Sequence, residues 1–290
     1  MTVRPGDGGS PVYAVDTWAI DPPAGVTPFQ IFSISAQIPG ADTIFPGGYL
    51  GLDEAGRFAF GYTAMGQPAP GRLVFGLPDR QVELNAPGNF DAEFWGEGRL
   101  LVDGLGLGDE PANEQGLYLA SFDPDQGGLR GVRRLLTDLG DASSALVVAP
   151  EGIVVAGGFS FASGSSLLYG FGQAELEQAA AGEPLSAAAA GDIVFTGNLV
   201  AATWLTGAGA GAAGQLVIAE MDAGWSFSRV AGYPLALAGD AVQAGEAVLI
   251  ASPAAGQAAS VANLAAAGGV LVLQVTGGDA GYFAGVRPRP

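Results

Sequence analysis

Five stretches decide the fold: GGYLGLDEAGRFAFGYT (47–63), AEFWGEGRLLVDGLG (92–106), SALVVAPEGIVVAGGF (144–159), DIVFTGNLVAATWLT (192–206) and AVQAGEAVLIAS (241–252). Each joins a short apolar run to a stronger one through a glycine: Gly56, Gly98, Gly152, Gly197 or Gly245. Short turns between twisted strands need positive φ, which glycine adopts at little cost, so each stretch reads as a β-hairpin.

A third apolar run follows every hairpin: RLVFGLP (72–78), GLYLASFD (116–123), SLLYGFG (166–172), QLVIAEMD (215–222) and VLVLQVT (270–276). A weaker fourth run closes each unit: QVELN (81–85), VRRLLTD (132–138), EPLSAA (183–188), SFSRVAG (226–232) and YFAGVRP (282–288). Four short antiparallel strands, repeated at a fixed period, predict the blade of a β-propeller. An aspartate leads each unit, at Asp42, Asp91, Asp141, Asp192 and Asp240, with separations of 49, 50, 51 and 48 residues. Their distances to the hairpin glycine are unequal (14, 7, 11, 5 and 5), so the aspartates need not be spatially equivalent.

Ahead of Asp42, VYAVDTWAI (12–20) and FQIFSISAQI (29–38) match the third and fourth strands of a blade. The expectation is an all-β chain forming one propeller domain over 1–290. Its units are 12–41 (partial), 42–90, 91–140, 141–191, 192–239 and 240–290. Six blades is the first reading, and five or seven are the alternatives. GAGAGAAG (207–214) reads as an inert loop. QAELEQAAAGEP (173–184) and GQAASVANLAAAGG (256–269) read as Ala-rich loop decorations with room for a helical turn.

Composition narrows the chemistry. Hydrophobic residues are 49% of the chain and charged ones 14%, enough apolar material for a sizeable core. The chain has no histidine and no cysteine, which removes Ser-His-Asp catalysis, zinc-thiolate sites and disulfides. All 11 basic residues are arginine, against 29 carboxylates, for a formal charge of −18. Such a field repels phosphate backbones and anionic lipid, so nucleic acid is not an expected partner. No apolar run reaches the roughly eighteen residues a membrane helix needs. The opening MTVRPGDGGSP lacks the apolar core of a signal peptide and reads as the front of a mature exported domain. The expected setting is the periplasm, the outer surface or the medium of a bacterium, and the expected state is a monomer.

In a propeller, the loops joining second to third strands gather on one face with the blade-to-blade connections. Here they carry Tyr62, Met65, Asp103, Asp109, Glu110, Glu114, Phe159, Phe161 and Trp204. Tyr62, Phe159, Phe161, Trp204 and Asp103 are the candidate ligand-binding residues. Trp204, at a strand end beside a glycine loop, is the expected platform among Trp18, Trp95, Trp204 and Trp225. Asp42, Asp91, Asp141, Asp192 and Asp240 admit two readings. As structure they accept backbone N–H bonds. As function they converge on a channel and hold Ca²⁺, which takes oxygen ligands and needs no histidine. DEPANE (109–114) and DPDQGG (123–128) lack the full calcium-loop pattern.

The opening strand VYAVDTW and the D-x-x-G hairpin units resemble bacterial secreted or lipid-anchored β-propeller proteins. There is a similarity to surface propellers that capture ligands such as siderophores. The resemblance covers most of the chain as architecture and implies an exported binding protein, but it carries no motif and so transfers no site residue. The leading functional expectation is a non-enzymatic binding propeller for a small molecule, a metal complex or a surface protein. The alternatives are a carboxylate-dependent glycosidase, which needs only two acids, and a structural module without ligand. Sialidase-like chemistry would need an arginine cluster, and Arg72, Arg99, Arg130, Arg133 and Arg134 do not recur at blade spacing.

Overall fold

The structure, a computed structural model, describes residues 2–5, 11–19, 29–37, 43–52, 58–65, 71–77, 80–86, 90–96, 98–109, 115–123, 128–207, 214–253, 260–267, 270–277 and 280–286. It is all-β: among the described residues there are twenty-three strands and two short helices. Residue contacts divide the chain into two compact units, 1–113 with 120–132, and 114–119 with 133–290.

The first unit opens with a three-stranded antiparallel sheet, β1 (Thr2–Pro5), β2 (Pro11–Ala19) and β3 (Phe29–Gln37). Next comes a four-stranded meander: β4 (Thr43–Leu52), β5 (Phe58–Met65), β6 (Gly71–Leu77) and β7 (Arg80–Asn85). Strand β5 is buried on both faces. Phe58, Phe60 and Tyr62 line one side with ring centroids 5.9 and 6.3 Å apart. On the other, Gly61 leaves room for the Phe90 ring, which a Cβ would meet at 2.5 Å. Each buried ring contributes roughly 2–3 kcal/mol of transfer free energy. Strands β8 (Asp91–Phe94) and β9 (Arg99–Gly104) form a hairpin whose turn holds Gly96 and Gly98 at positive φ. Strands β10 (Gly116–Phe122) and β11 (Leu129–Thr137), each of which has residues in both units, follow in a sheet ordered β15-β11-β10-β9-β8. The sequence units 42–90 and 91–140 therefore fall on strands β4–β7 and β8–β11.

The second unit holds β12 (Ala142–Val148), β13 (Ile153–Ser160), β14 (Ser165–Gly172), α1 (Gln173–Ala181), β15 (Leu185–Ser186) and α2 (Ala187–Ala190). It continues with β16 (Asp192–Leu205), β17 (Gln215–Met221), β18 (Phe227–Ala238), β19 (Ala241–Ala244) and β20 (Val248–Ala251). It ends in a three-stranded sheet of β21 (Ser260–Ala267), β22 (Val270–Gly277) and β23 (Ala280–Val286). One apolar cluster joins Val147, Ile153, Leu168, Phe195, Trp204 and Leu216. A second joins Val217, Val230, Leu264, Leu271 and Leu273.

Several expectations are corrected here. DIVFTGNLVAATWLT is one long strand, not a hairpin. Residues 192–197 pair with β14 and residues 198–205 with β17, so Gly197 marks a change of partner. AVQAGEAVLIAS is not a hairpin either, because β19 and β20 both pair with β18. Long strands shared between neighbouring pairings satisfy more backbone groups than a separate tight turn would. EPLSAA supplies only the two-residue β15, which runs parallel to β11, and the fourth position beside β14 is taken by the start of β16. Part of GQAASVANLAAAGG is the strand β21, paired along its length with β22. QAELEQAAAGEP holds a nine-residue helix rather than a loop turn. Arg133 from β11 donates to the carbonyls of Ala180 (2.6 Å) and Gly182 at its end. Residues 208–213 of the GAGAGAAG segment lie outside the described residues.

Candidate aromatic binding site

Phe159 and Phe161 stand at the end of β13, where the chain turns toward β14. Asp141 brackets them. Its backbone N–H donates to the Phe159 carbonyl (2.8 Å), and its Oδ2 accepts from the Phe161 N–H (2.7 Å). The loop is closed by Gly164 N–H donating to Ser160 O (2.9 Å) and by a Ser163–Ser165 hydroxyl contact (3.0 Å). Phe161 is left 73% exposed.

The third ring comes from the β17–β18 connection. Asp222 Oδ1 accepts from the N–H groups of Gly224 (2.8 Å) and Ser226 (3.0 Å), and Trp225 N–H donates to Asp222 O (3.0 Å). This turn holds Trp225 at φ 61°, a left-handed conformation rare for a bulky side chain, with the indole 55% exposed. The Phe159 ring meets Phe161 at 5.5 Å and 73°, and Trp225 at 5.4 Å and 54°. Three aromatic rings, two of them open to solvent, thus form one cluster with a carboxylate in each supporting turn. An exposed apolar group held in a costly backbone conformation is not explained by packing.

Other candidates lie elsewhere. Tyr62 is 1% exposed and donates to Glu83 Oε1 (2.8 Å), which also faces Arg72 Nε (3.3 Å); the ring is core, not platform. Trp204 is 9% exposed and packs in the core beside Leu216 and Ile218, with no hydrogen-bond partner for its Nε1 among the described residues. Gly214 lies so close that a Cβ would fall 2.4 Å from the indole. Asp103 is wholly buried and sits directly across from Asp91 on the β8–β9 hairpin. Asp109 lines a cavity of about 410 Å³ with Glu83, Asn85, Leu129 and Val132. Asp42, Glu110 and Glu114, and the side chain of Met65, lie outside the described residues.

The leading aspartates occupy different places. Asp141 anchors the Phe161 loop, Asp192 Oδ2 accepts from Val242 N–H (2.7 Å), and Asp240 is exposed between β18 and β19. Asp91 opens β8. Among the described residues no three acidic side chains are grouped so as to hold a metal ion.

The arginines are also dispersed: Arg99 stacks on Trp95 (4.3 Å), Arg130 pairs with Asp123 (2.9 Å) and Arg229 with Glu220 (3.1 Å). Glu220 Oε1 accepts from Tyr233 as well (2.6 Å); burial, then this bond, push the tyrosine hydroxyl up to about 12. Glu93, next to Asp91 on the same strand face, is pushed up to about 7 by burial and then by the Asp91 charge.

Sequence reasoning missed Trp225. The signal was present, since Asp222 with Gly224 in DAGWS (222–226) marks an Asx-type turn and places the tryptophan outside the strand. Compared with known proteins, no family model matches this chain, and no curated protein matches it either.

Proposed function

We propose that the chain is an exported binding propeller, six-bladed, that takes a small ligand, a metal complex or a surface protein on the Phe159–Phe161–Trp225 cluster. The carrying observation is the cluster itself: two exposed rings, each fixed by a dedicated turn, one of them at positive φ. Three features support the blade reading. Successive four-stranded units recur over 43–85 and 91–137. Central strands such as β9, β10 and β13 are buried on both faces, as stacked sheets require. Leading strands lie beside one another, β4 by β8, and β12 and β21 by β16.

The test is a thermal-shift scan of the full chain against Ca²⁺, EGTA, siderophores, oligosaccharides and organic cations, run on wild type and on Trp225→Gly. Glycine accepts the left-handed conformation, so this variant keeps the fold. One class is expected to raise the melting temperature of wild type and not of the variant, by mass action. Silence across the whole panel would remove the small-molecule reading.

A second reading, the glycosidase, is favoured by one observation. Glu93 at about 7 beside Asp91 has the protonation of a general acid next to a carboxylate. Asp103, directly opposite Asp91, is wholly buried, however, and so is beyond a substrate's reach. Loss of a measured glycosidase activity in Glu93→Gln would establish this reading over the first.

A further inference from the structure

We propose that the aromatic cluster is a receptor for an organic cation of the trimethylammonium type, a proposal that rests on the binding role of the same cluster. The ring geometry argues for a compact, rounded ligand group. Neighbouring rings are inclined at 73° and 54°, so they turn their faces in different directions. A flat sugar ring is best covered by parallel faces. A trimethylammonium group presents the same apolar, positively charged surface on every side, so it can pack on whatever ring surface Phe161 and Trp225 leave exposed without needing the rings parallel.

Charge selects in the same direction. An aromatic face carries negative quadrupole potential and attracts a cation within about 6 Å of its centroid. The turn carboxylates add to it. Asp141 uses Oδ2 to hold Phe161, and Asp222 uses Oδ1 to hold Gly224 and Ser226. Both residues are exposed, so each sets a full negative charge at the root of an exposed ring. The chain has no lysine or histidine to oppose them, and its formal charge is −18. The nearest arginine in sequence to Trp225, Arg229, is paired with Glu220. A trimethylammonium cation suits this site better than ammonium or a metal ion, because it sheds its weak hydration readily and offers methyl groups to the rings. The parts of the arrangement then fit together: αL backbone exposes the indole, Asp141 places Phe161, and both turns contribute charge.

The experiment titrates the full chain with choline and, in parallel, with its uncharged carbon isostere, in which a tert-butyl group replaces the trimethylammonium. Tryptophan fluorescence and the melting temperature are followed. Millimolar choline is expected to perturb the fluorescence and raise the melting temperature, with at least about tenfold tighter binding than the isostere. Trp225→Gly and Phe161→Ala are expected to abolish the response. Asp141→Asn keeps an acceptor for Phe161 N–H but removes the charge, and is expected to weaken choline several-fold without changing the isostere. Equal binding of choline and isostere would overturn the cation proposal while leaving the binding platform intact. So would a response to oligosaccharide but none to choline. If choline, the isostere and the full ligand panel all leave wild type unchanged, the platform reading falls with it.

Discussion

Glu93 shows how one side chain can set the pH response of the fold. Its carboxyl is held at about 7 by burial, with Asp91 adding to the shift. A carboxyl raised in the folded state keeps its proton between the ordinary value of 4.5 and about 7, while the unfolded chain has already released it. Folded protein then binds more protons than unfolded, so stability falls as pH rises through that window. Below 4.5 both states are protonated and Glu93 costs nothing; above 7 both are ionised and the full penalty, on the order of 3 kcal/mol, is present. Denaturant midpoints of wild type and Glu93→Gln should therefore diverge as pH is raised from 4.5 to 8, with the variant the more stable at the upper end. Parallel curves would show that the raised carboxyl has no share in stability. The same scale explains why Tyr62 and Trp204 read wrongly. Residue type and loop position match those of a platform, but burial is decided by what packs from other strands, which a single sequence does not display. Phe161 stays exposed, and Phe159 half-buried, because their segment, GGFSFASGS (157–165), is too small and polar to cover them.

At the scale of the element, strand existence was legible and strand partnership was not. Alternating apolar runs between glycines located β4 to β14 within a few residues, since that pattern reflects local burial. Gly197 misled because it lies within one strand where the chain changes partner, and Gly245 because the two strands it separates both pair with β18 rather than with each other. Gly157 is a case where the need for glycine is tertiary. A Cβ there would lie 2.1 Å from Leu167 O and 2.8 Å from Leu168 Cα on the adjacent β14. Both are backbone atoms of a paired strand, so neither can rotate away. Gly157→Ala is expected to cost about 3 kcal/mol, at the upper end for overpacking, and to shift the urea midpoint downward with an unchanged slope. Gly131 on β11 is the matched control. Among the described residues, no atom beyond its chain neighbours lies within 4 Å of its added Cβ, so Gly131→Ala should leave stability the same or raise it by about 0.5 kcal/mol. Equal effects at the two positions would mean that the close approach of β13 and β14 is not what requires the glycine.

For the whole molecule, the governing quantity is the charge of −18. Self-repulsion of this size opposes compaction. Salt screens it, shortening the Debye length from about 30 Å at 0.01 M to about 8 Å at 0.15 M. The melting temperature should therefore rise with sodium chloride over this range, by a few degrees for each kcal/mol relieved in a chain this long. Choline binding should move the other way. Its attraction to Asp141, Asp222 and the surrounding field is screened by the same ions, whereas the contact of its methyl groups with the rings is not. One salt series thus separates two electrostatic roles by sign: stability rises, and affinity for the cation falls by several-fold while affinity for the isostere stays level. A melting temperature that is flat in salt would mean the described ion pairs, such as Arg72–Glu83 and Arg229–Glu220, already balance the field locally. A choline affinity that is flat in salt would mean the rings act without the charge, and the acidic composition would then matter to the fold alone.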